Sequence, residues 1–216
     1  MDVTFALRRK EMIRDKPAIS QVVHRWPALF TESQVYCEFT RVVGKNLKEQ
    51  FFDALDEFSP RLMDLFRKKK GLAGQLLADL LRQTKTTEPA DIRCLCLRGL
   101  PIILGDDPST FFKTSFDVTD KDSYSQTSVG LLCVDQEHPQ VNPSKVGIIL
   151  KGTVVMDDPA NLPQATCLLF GLIYALHLDY PKGMKNTFCF IQQVMLNLGS
   201  RELPPKIQTL RNQLAN

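Results

Sequence analysis

Residues 167–178, Cys-Leu-Leu-Phe-Gly-Leu-Ile-Tyr-Ala-Leu-His-Leu, form the longest apolar stretch of the chain, and its length decides what the rest must do. A membrane span needs roughly 20 such residues, so the stretch reads instead as a helix over residues 164–178. It is apolar nearly all round, and other elements must cover it. Asp157-Asp158-Pro159 and Pro163 introduce this helix, and Asp179-Tyr180-Pro181 stops it. With 216 residues, 44% of them hydrophobic, the chain holds enough apolar surface to build that cover.

Helical periodicity fills the first half. Phe30-Thr31-Glu32-Ser33-Gln34-Val35 has the form of a helix start: Thr31 as N-cap, Gln34 reaching back in a capping box, and Phe30 stapled to Val35. Val35, Tyr36, Phe39, Val42 and Val43 make its buried stripe, and Gly44 sits where a glycine ends a helix. Leu47, Phe51, Ala54, Leu55 and Phe58 predict a second helix. Ser59-Pro60 starts a third, with Leu62, Met63, Leu65 and Phe66, and Leu72, Leu76, Leu77, Leu80 and Leu81 form a fourth. Residues 31–83 thus read as four short helices. Residues 3–14 read as a charged helix that Lys16-Pro17 ends.

After residues 84–89 the pattern changes. Apolar runs at 92–98, 100–104, 129–134 and 146–156, bounded by Gly, Pro and Asp, predict strands of a small sheet packed on the long helix. Residues 105–128 and 135–145 read as surface loops, the latter carrying His138-Pro139 and Pro143. Residues 184–198 read as an amphipathic helix, and a short helix follows Pro204-Pro205. The expected fold class is α+β, predominantly helical. Its organisation is a helical extension or linker over 1–30, one globular domain over 31–200 (helical part 31–83, mixed part 90–200), and a tail or short helix over 201–216.

Charge says little about partners. The net charge is +3, and the excess lies in residues 1–90, with 16 Lys+Arg against 12 Asp+Glu, while residues 91–216 carry 11 against 12. The strongest run, Arg67-Lys68-Lys69-Lys70, is a candidate nucleic-acid contact, although cations before Gly71 also suit a helix C-terminus. Trp26 and Phe30 could dock a partner or anchor the N-terminal segment on the core, and anchoring is the simpler reading.

Candidate chemistry is sparse. The six cysteines lie mostly in apolar runs without a CxxC pair, which suits reduced, packed thiols in the cytoplasm or nucleus. Cys94 and Cys96, two apart, would share one face of a strand. The three histidines, His24, His138 and His177, supply no zinc-ligand spacing beside them. His177-Leu178-Asp179-Tyr180 joins a base, an acid and a phenol, yet a histidine in a last helical turn serves the helix dipole. Asp106-Asp107-Pro108 is a turn or helix start before it is a metal site. No catalytic, cofactor or metal site is expected.

Arg25-Trp-Pro-Ala-Leu-Phe30, Thr86-Thr-Glu-Pro-Ala-Asp-Ile-Arg93, Arg98-Gly-Leu-Pro-Ile-Ile-Leu-Gly-Asp-Asp-Pro108 and Leu176-His-Leu-Asp-Tyr-Pro181 together resemble the long C-terminal region of sterile alpha motif domain-containing protein 3-like proteins. The resemblance runs over residues 3–198, without the five-helix sterile alpha motif itself. It implies a downstream part of a multi-domain intracellular protein, or a shortened copy, and names no substrate.

The leading expectation is a non-enzymatic intracellular protein-interaction or scaffold module with unidentified protein partners and no membrane. The alternative is nucleic-acid association through the basic first half, with Arg67, Lys68, Lys69 and Lys70 as the patch, and it would gain if these converged on one face with Arg8, Arg9 and Lys10. An enzyme would need His177 in a pocket beside an acid or thiol.

Overall fold

A computed structural model describes residues 1–84, 88–117, 119–135, 140–199 and 202–215. Thr86 and Thr87 of the resemblance motif, and the turn read at His138-Pro139, lie outside the described residues. Among those described the chain forms nine α-helices and a four-stranded sheet, an α+β fold that is predominantly helical.

Helix α1 (Phe5–Lys10) runs into a π-helical turn (Glu11–Asp15) that stops at Lys16, as Lys16-Pro17 predicts. Helix α2 (Ile19–Arg25) and a 3-10 turn (Pro27–Phe30) follow. Met12, Ile19, Val22, Leu29 and Phe30 are buried in the same apolar cluster as the rest of the core. Helix α3 (Glu32–Val43) starts after Thr31 and ends at Gly44 with φ 77°. The predicted capping box does not form. The Thr31 hydroxyl donates to the Ala28 carbonyl instead, and Gln34 Oε1 is buried without a partner.

The two helices predicted on either side of Ser59-Pro60 are one, α4 (Leu47–Lys68). The Ser59 hydroxyl caps nothing; it donates to the Leu55 carbonyl one turn back. Leu55, Leu62 and Phe66 continue one buried stripe across the proline, so packing holds the helix together where Pro60 removes a backbone donor. With α5 (Gly71–Gln83), residues 31–83 contain three helices rather than four.

Residues 92–98 and 100–104 are not strands. They form helix α6 (Pro89–Leu104), with Pro89 in the first turn and Gly105 at φ 70° closing it. Neighbours on several sides, α4, α5, α7 and α8, remove the polar face that would have revealed a 3.6-residue period. Cys94 and Cys96 therefore point about 200° apart around a helix rather than to one face of a strand.

The sheet runs in the order β1 (Phe112–Ser115), β2 (Val129–Val134), β3 (Lys145–Leu150), β4 (Thr153–Met156). Strand β1 lies inside the predicted loop 105–128 and pairs parallel to β2, a pairing its short, half-polar sequence does not advertise. The predicted run 146–156 is a hairpin, since Lys151 and Gly152 turn the chain between β3 and β4. All six residues of β2 are buried because both faces are covered. Leu131, Cys133, Val146 and Ile148 face the helices, whereas Leu132, Val134 and Ile149 pack under Tyr124 from the crossover segment.

Helix α7 (Leu162–Ala175) is the predicted central helix, with twelve of its fourteen residues buried. It packs on α3, on α6, and on β2 and β3. A Cβ at Gly171 would stand 2.6 Å from Val35 Cγ1, so the glycine sets how closely α3 approaches. Helices α8 (Lys185–Phe190) and α9 (Pro205–Ala215) complete the chain. No helix among the described residues is long and apolar enough to cross a membrane.

Candidate functional site

Helix α7 ends with its last free carbonyls satisfied by a reversal of the chain. The His177 N–H donates to the Tyr174 carbonyl and the Leu178 N–H to the Ile173 carbonyl, with His177 at φ 54°. Helix α6 ends with the same pair of bonds, from Gly105 to Ile102 and from Asp106 to Pro101, and there the left-handed residue is glycine. The backbone thus asks for glycine at 177 and receives histidine, at a steric cost of about 1 kcal/mol. His177 is exposed and lies just beyond the end of α7 at Ala175 rather than within its last turn.

The segment from Leu176 to Gly183 forms one wall of an open cleft of about 1380 Å³. The residues from Met12 to Val22 supply a second wall. The sheet supplies a third, through Lys113 of β1 and Thr110 just before it, Gln126 to Val129, and the Lys151 turn. Lys151 and Gly152 both have positive φ, 50° and 73°, as a two-residue hairpin turn matching the strand twist requires. A Cβ at Gly152 would clash with the Ser125 carbonyl oxygen, so the turn lies directly against the crossover segment. Lys16, which ends the π-helical turn of the second wall, has φ 45°.

Four non-glycine residues among those described have positive φ: Lys16, Lys151, His177 and Asn197. The first three line this cleft. Residues held in sparsely populated backbone regions gather where structure serves binding or chemistry.

The cleft is basic. Lys16, Lys113, Lys151 and Lys182 line it against Asp122 and Asp179, four cations to two anions. Among the described residues none of the four lysines is ion-paired. Lys113 Nζ donates to the Ser109 carbonyl (3.0 Å) and Lys151 Nζ to Ser128 Oγ (3.1 Å), which leaves each ammonium with further donors. Ser20, Thr110, Ser123, Thr127 and Thr153 add hydroxyls. Tyr180 is fixed wall: its hydroxyl donates to Gln192 Oε1 at 2.9 Å, its ring lies 5.3 Å from that of Phe188, and burial pushes its pKa up, so it stays a phenol.

The structure does bring His177 and Asp179 to one cleft, as an enzyme would need, and no cysteine lines it. No hydrogen bond among the described residues orients the imidazole. Asp106 and Asp107 work as caps. Asp106 accepts from the N–H and hydroxyl of Thr187 (2.7 and 2.8 Å) and from Asn186, and so ties the end of α6 to the start of α8, while Asp107 accepts from the Ser109 N–H. Burial raises the thiol pKa of Cys94 to about 12 and of Cys96 to about 11, so both are unreactive near neutrality. No three His, Cys, Asp or Glu side chains among the described residues converge as metal ligands.

The other sequence candidates lie away from the cleft. Arg67, Lys68, Lys69 and Lys70 are exposed at the corner between α4 and α5, with Arg67 paired to Asp64 at 3.1 Å. The second basic run does not join them. Arg8 is 1% exposed and bonded to Glu38 through Nε (3.1 Å) and Nη2 (2.6 Å), and Arg9 donates to the Tyr174 carbonyl. Phe30 is buried, and Trp26 is half-buried with its Nε1–H donating to Glu11 Oε2 at 3.1 Å and the guanidinium groups of Arg8 and Arg25 near its ring. Nothing in the sequence advertised the cleft, because its walls come from segments far apart in the chain; only the non-glycine turn residues at 16, 151 and 177 were available as a signal.

No curated protein and no solved structure matches the chain. Residues 1–31, which contribute the Met12 to Val22 wall, match the family model described as Sterile alpha motif domain-containing protein 3, helical domain. Through that segment the chain is related to the sterile alpha motif domain-containing protein 3-like proteins.

Proposed function

We propose that the chain is a non-enzymatic intracellular module that binds a protein partner in the basic cleft. The observation that carries this reading is the placement of Lys16, Lys151 and His177, all in left-handed backbone, around one open cavity. Position 177 holds histidine where the equivalent reversal at the end of α6 has Gly105, and a residue kept in a costly backbone region at an open surface fits a role in binding. The unpaired lysines and the imidazole without an orienting partner favour binding over acid–base catalysis. Buried single thiols suit a reducing compartment.

The alternative, nucleic-acid association through Arg67, Lys68, Lys69 and Lys70, has the exposure of those four side chains in its favour. It loses the contribution of Arg8, which Glu38 occupies in the core.

Affinity purification of the tagged chain, with and without nuclease, tests both readings when run beside Lys151→Asn/Lys182→Ser. Proteins that survive nuclease on the wild type and disappear from the variant support binding in the cleft. A retained set that vanishes with nuclease supports the nucleic-acid alternative.

A further inference from the structure

We propose that the cleft receives an extended acidic peptide segment of the partner, whose carboxylate or phosphate groups face Lys16, Lys113, Lys151 and Lys182. This rests on the reading of the cleft as a protein-binding site. The four lysines come from four separate segments: the end of the π-helical turn, β1, the β3–β4 turn and the segment after α7. An anion within the cleft therefore meets cations from each wall, a distribution that a single basic helix or tail does not give. Among the described residues none of the four forms an ion pair, and only Lys113 feels a nearby carboxylate, that of Asp107, so their charge is available to a ligand.

The size of the cleft argues for a chain segment. Sites for single small molecules occupy roughly 300–1,000 Å³, and this open cavity of about 1380 Å³ exceeds them. Its lining mixes apolar and polar groups. Pro17 and Leu178 offer partly exposed apolar surface for side chains between the acidic groups, while the exposed Ser20 and Thr153 offer hydroxyls to a backbone. Single-stranded nucleic acid is disfavoured because it calls for aromatic faces on which bases stack. The tyrosine of the lining, Tyr180, is turned to Phe170 and Phe188 in the core, which leaves the exposed His177 imidazole as a single ring where a strand of bases needs several.

The left-handed residues supply a way to separate function from fold. At 151 asparagine suits the mirror-image turn better than lysine does, so Lys151→Asn folds at least as well as the wild type while deleting a cation. The test is fluorescence polarisation of a short fluorescein-labelled peptide alternating glutamate with serine, and of its serine-phosphorylated form, against the full chain. Both peptides should bind, the phosphorylated one more tightly, and added salt should weaken each. Lys151→Asn/Lys182→Ser should lose about tenfold in affinity, at about two- to fivefold per exposed charge pair, with its thermal midpoint unchanged or raised.

Equal affinity of wild type and variant overturns the proposal. So does tighter, lysine-dependent binding of single-stranded oligothymidylate, which would make the ligand a nucleic acid. If neither peptide binds while the same variant still sheds nuclease-resistant proteins in the purification, the acidic peptide is wrong and the binding module stands. If the peptides bind and no protein is shed, the protein-partner reading falls instead.

Discussion

Arg8 and Glu38 show how a single pair of side chains decides where thirty residues of chain go. Their two hydrogen bonds are buried, the remaining Arg8 donors reach the Met1 carbonyl and Thr4 Oγ1, and Glu38 Oε2 also accepts from Arg41. Every charge in the group has a partner, the condition under which a buried ion pair is tolerated. Arg8→Ala leaves the Glu38 carboxylate only its partly exposed Arg41 partner and should cost about 3 kcal/mol, the lower end for breaking a buried pair. Replacing both partners by apolar residues of similar size should cost much less, so a double-mutant cycle by urea denaturation should return a large coupling energy, and additive single effects would refute the pairing. Nothing local announced it, because an arginine beside another basic residue in an amphipathic helix looks like surface. The thiols were more legible, since cysteines within apolar runs are buried wherever those runs fold. Cys37 is exposed, Cys189 is half-buried, and the other four are buried. A disulfide reagent at neutral pH should therefore modify Cys37 first and reach Cys94, Cys96, Cys133 and Cys167 only on unfolding.

At the scale of elements, legibility followed solvent exposure. Helices α3 and α5, each with a wet face, declare a helical period; α6, surrounded by other elements, does not, and its Arg98-Gly99 and Pro101 imitate the punctuation between strands. Arg98 is polar yet docks inward, its Nε donating to the Val141 carbonyl at 2.7 Å and its guanidinium lying over the Phe112 ring. The ends of α6 and α7 make a matched comparison, with Gly105 and His177 in the same hydrogen-bonded reversal. His177→Gly should raise stability by about 1 kcal/mol, seen as a higher denaturation midpoint, and a drop would mean that the imidazole makes a stabilising contact. Helices α4 and α6 are linked at the surface by Asp56 and Arg93, and the hydrogen bonds from Arg93 hold the Asp56 carboxyl below its usual pKa. A depressed carboxylate stabilises the fold fully above its unfolded pKa, near 4, and that contribution disappears as pH falls through the folded value. The pair is half exposed and worth about 0.5 kcal/mol, so Arg93→Ala should cost more at pH 7 than near pH 2 by about that amount, the remainder being the pH-independent contact of the guanidinium with the Phe52 ring, as measured by denaturation at the two pH values.

For the whole molecule, the N-terminal segment is both part of the core and a wall of the cleft. Met12, Ile19 and Val22 face the apolar cluster and also line the cavity, Arg9 reaches the Tyr174 carbonyl at the end of α7, and Arg8 binds α3. The segment that matches a known family is thus the one joining the helical half to the cleft. No sequence pattern could have shown this, because the cleft exists only where residues 12–22, the sheet and residues 176–183 meet, and their separations exceed any local period. The arrangement couples binding to folding. A ligand that touches the segment and the sheet together stabilises the whole chain by mass action, about 2.7 kcal/mol at a hundred times its Kd. Deleting residues 1–31 removes five buried apolar side chains, the Arg8 partner of Glu38 and one cleft wall at once. The shortened chain should melt well below the full chain in calorimetry, expose apolar surface to a hydrophobic dye, and give no thermal shift with the acidic peptide. Retention of both the midpoint and the ligand shift would mean that the remaining residues form the core and the cleft unaided.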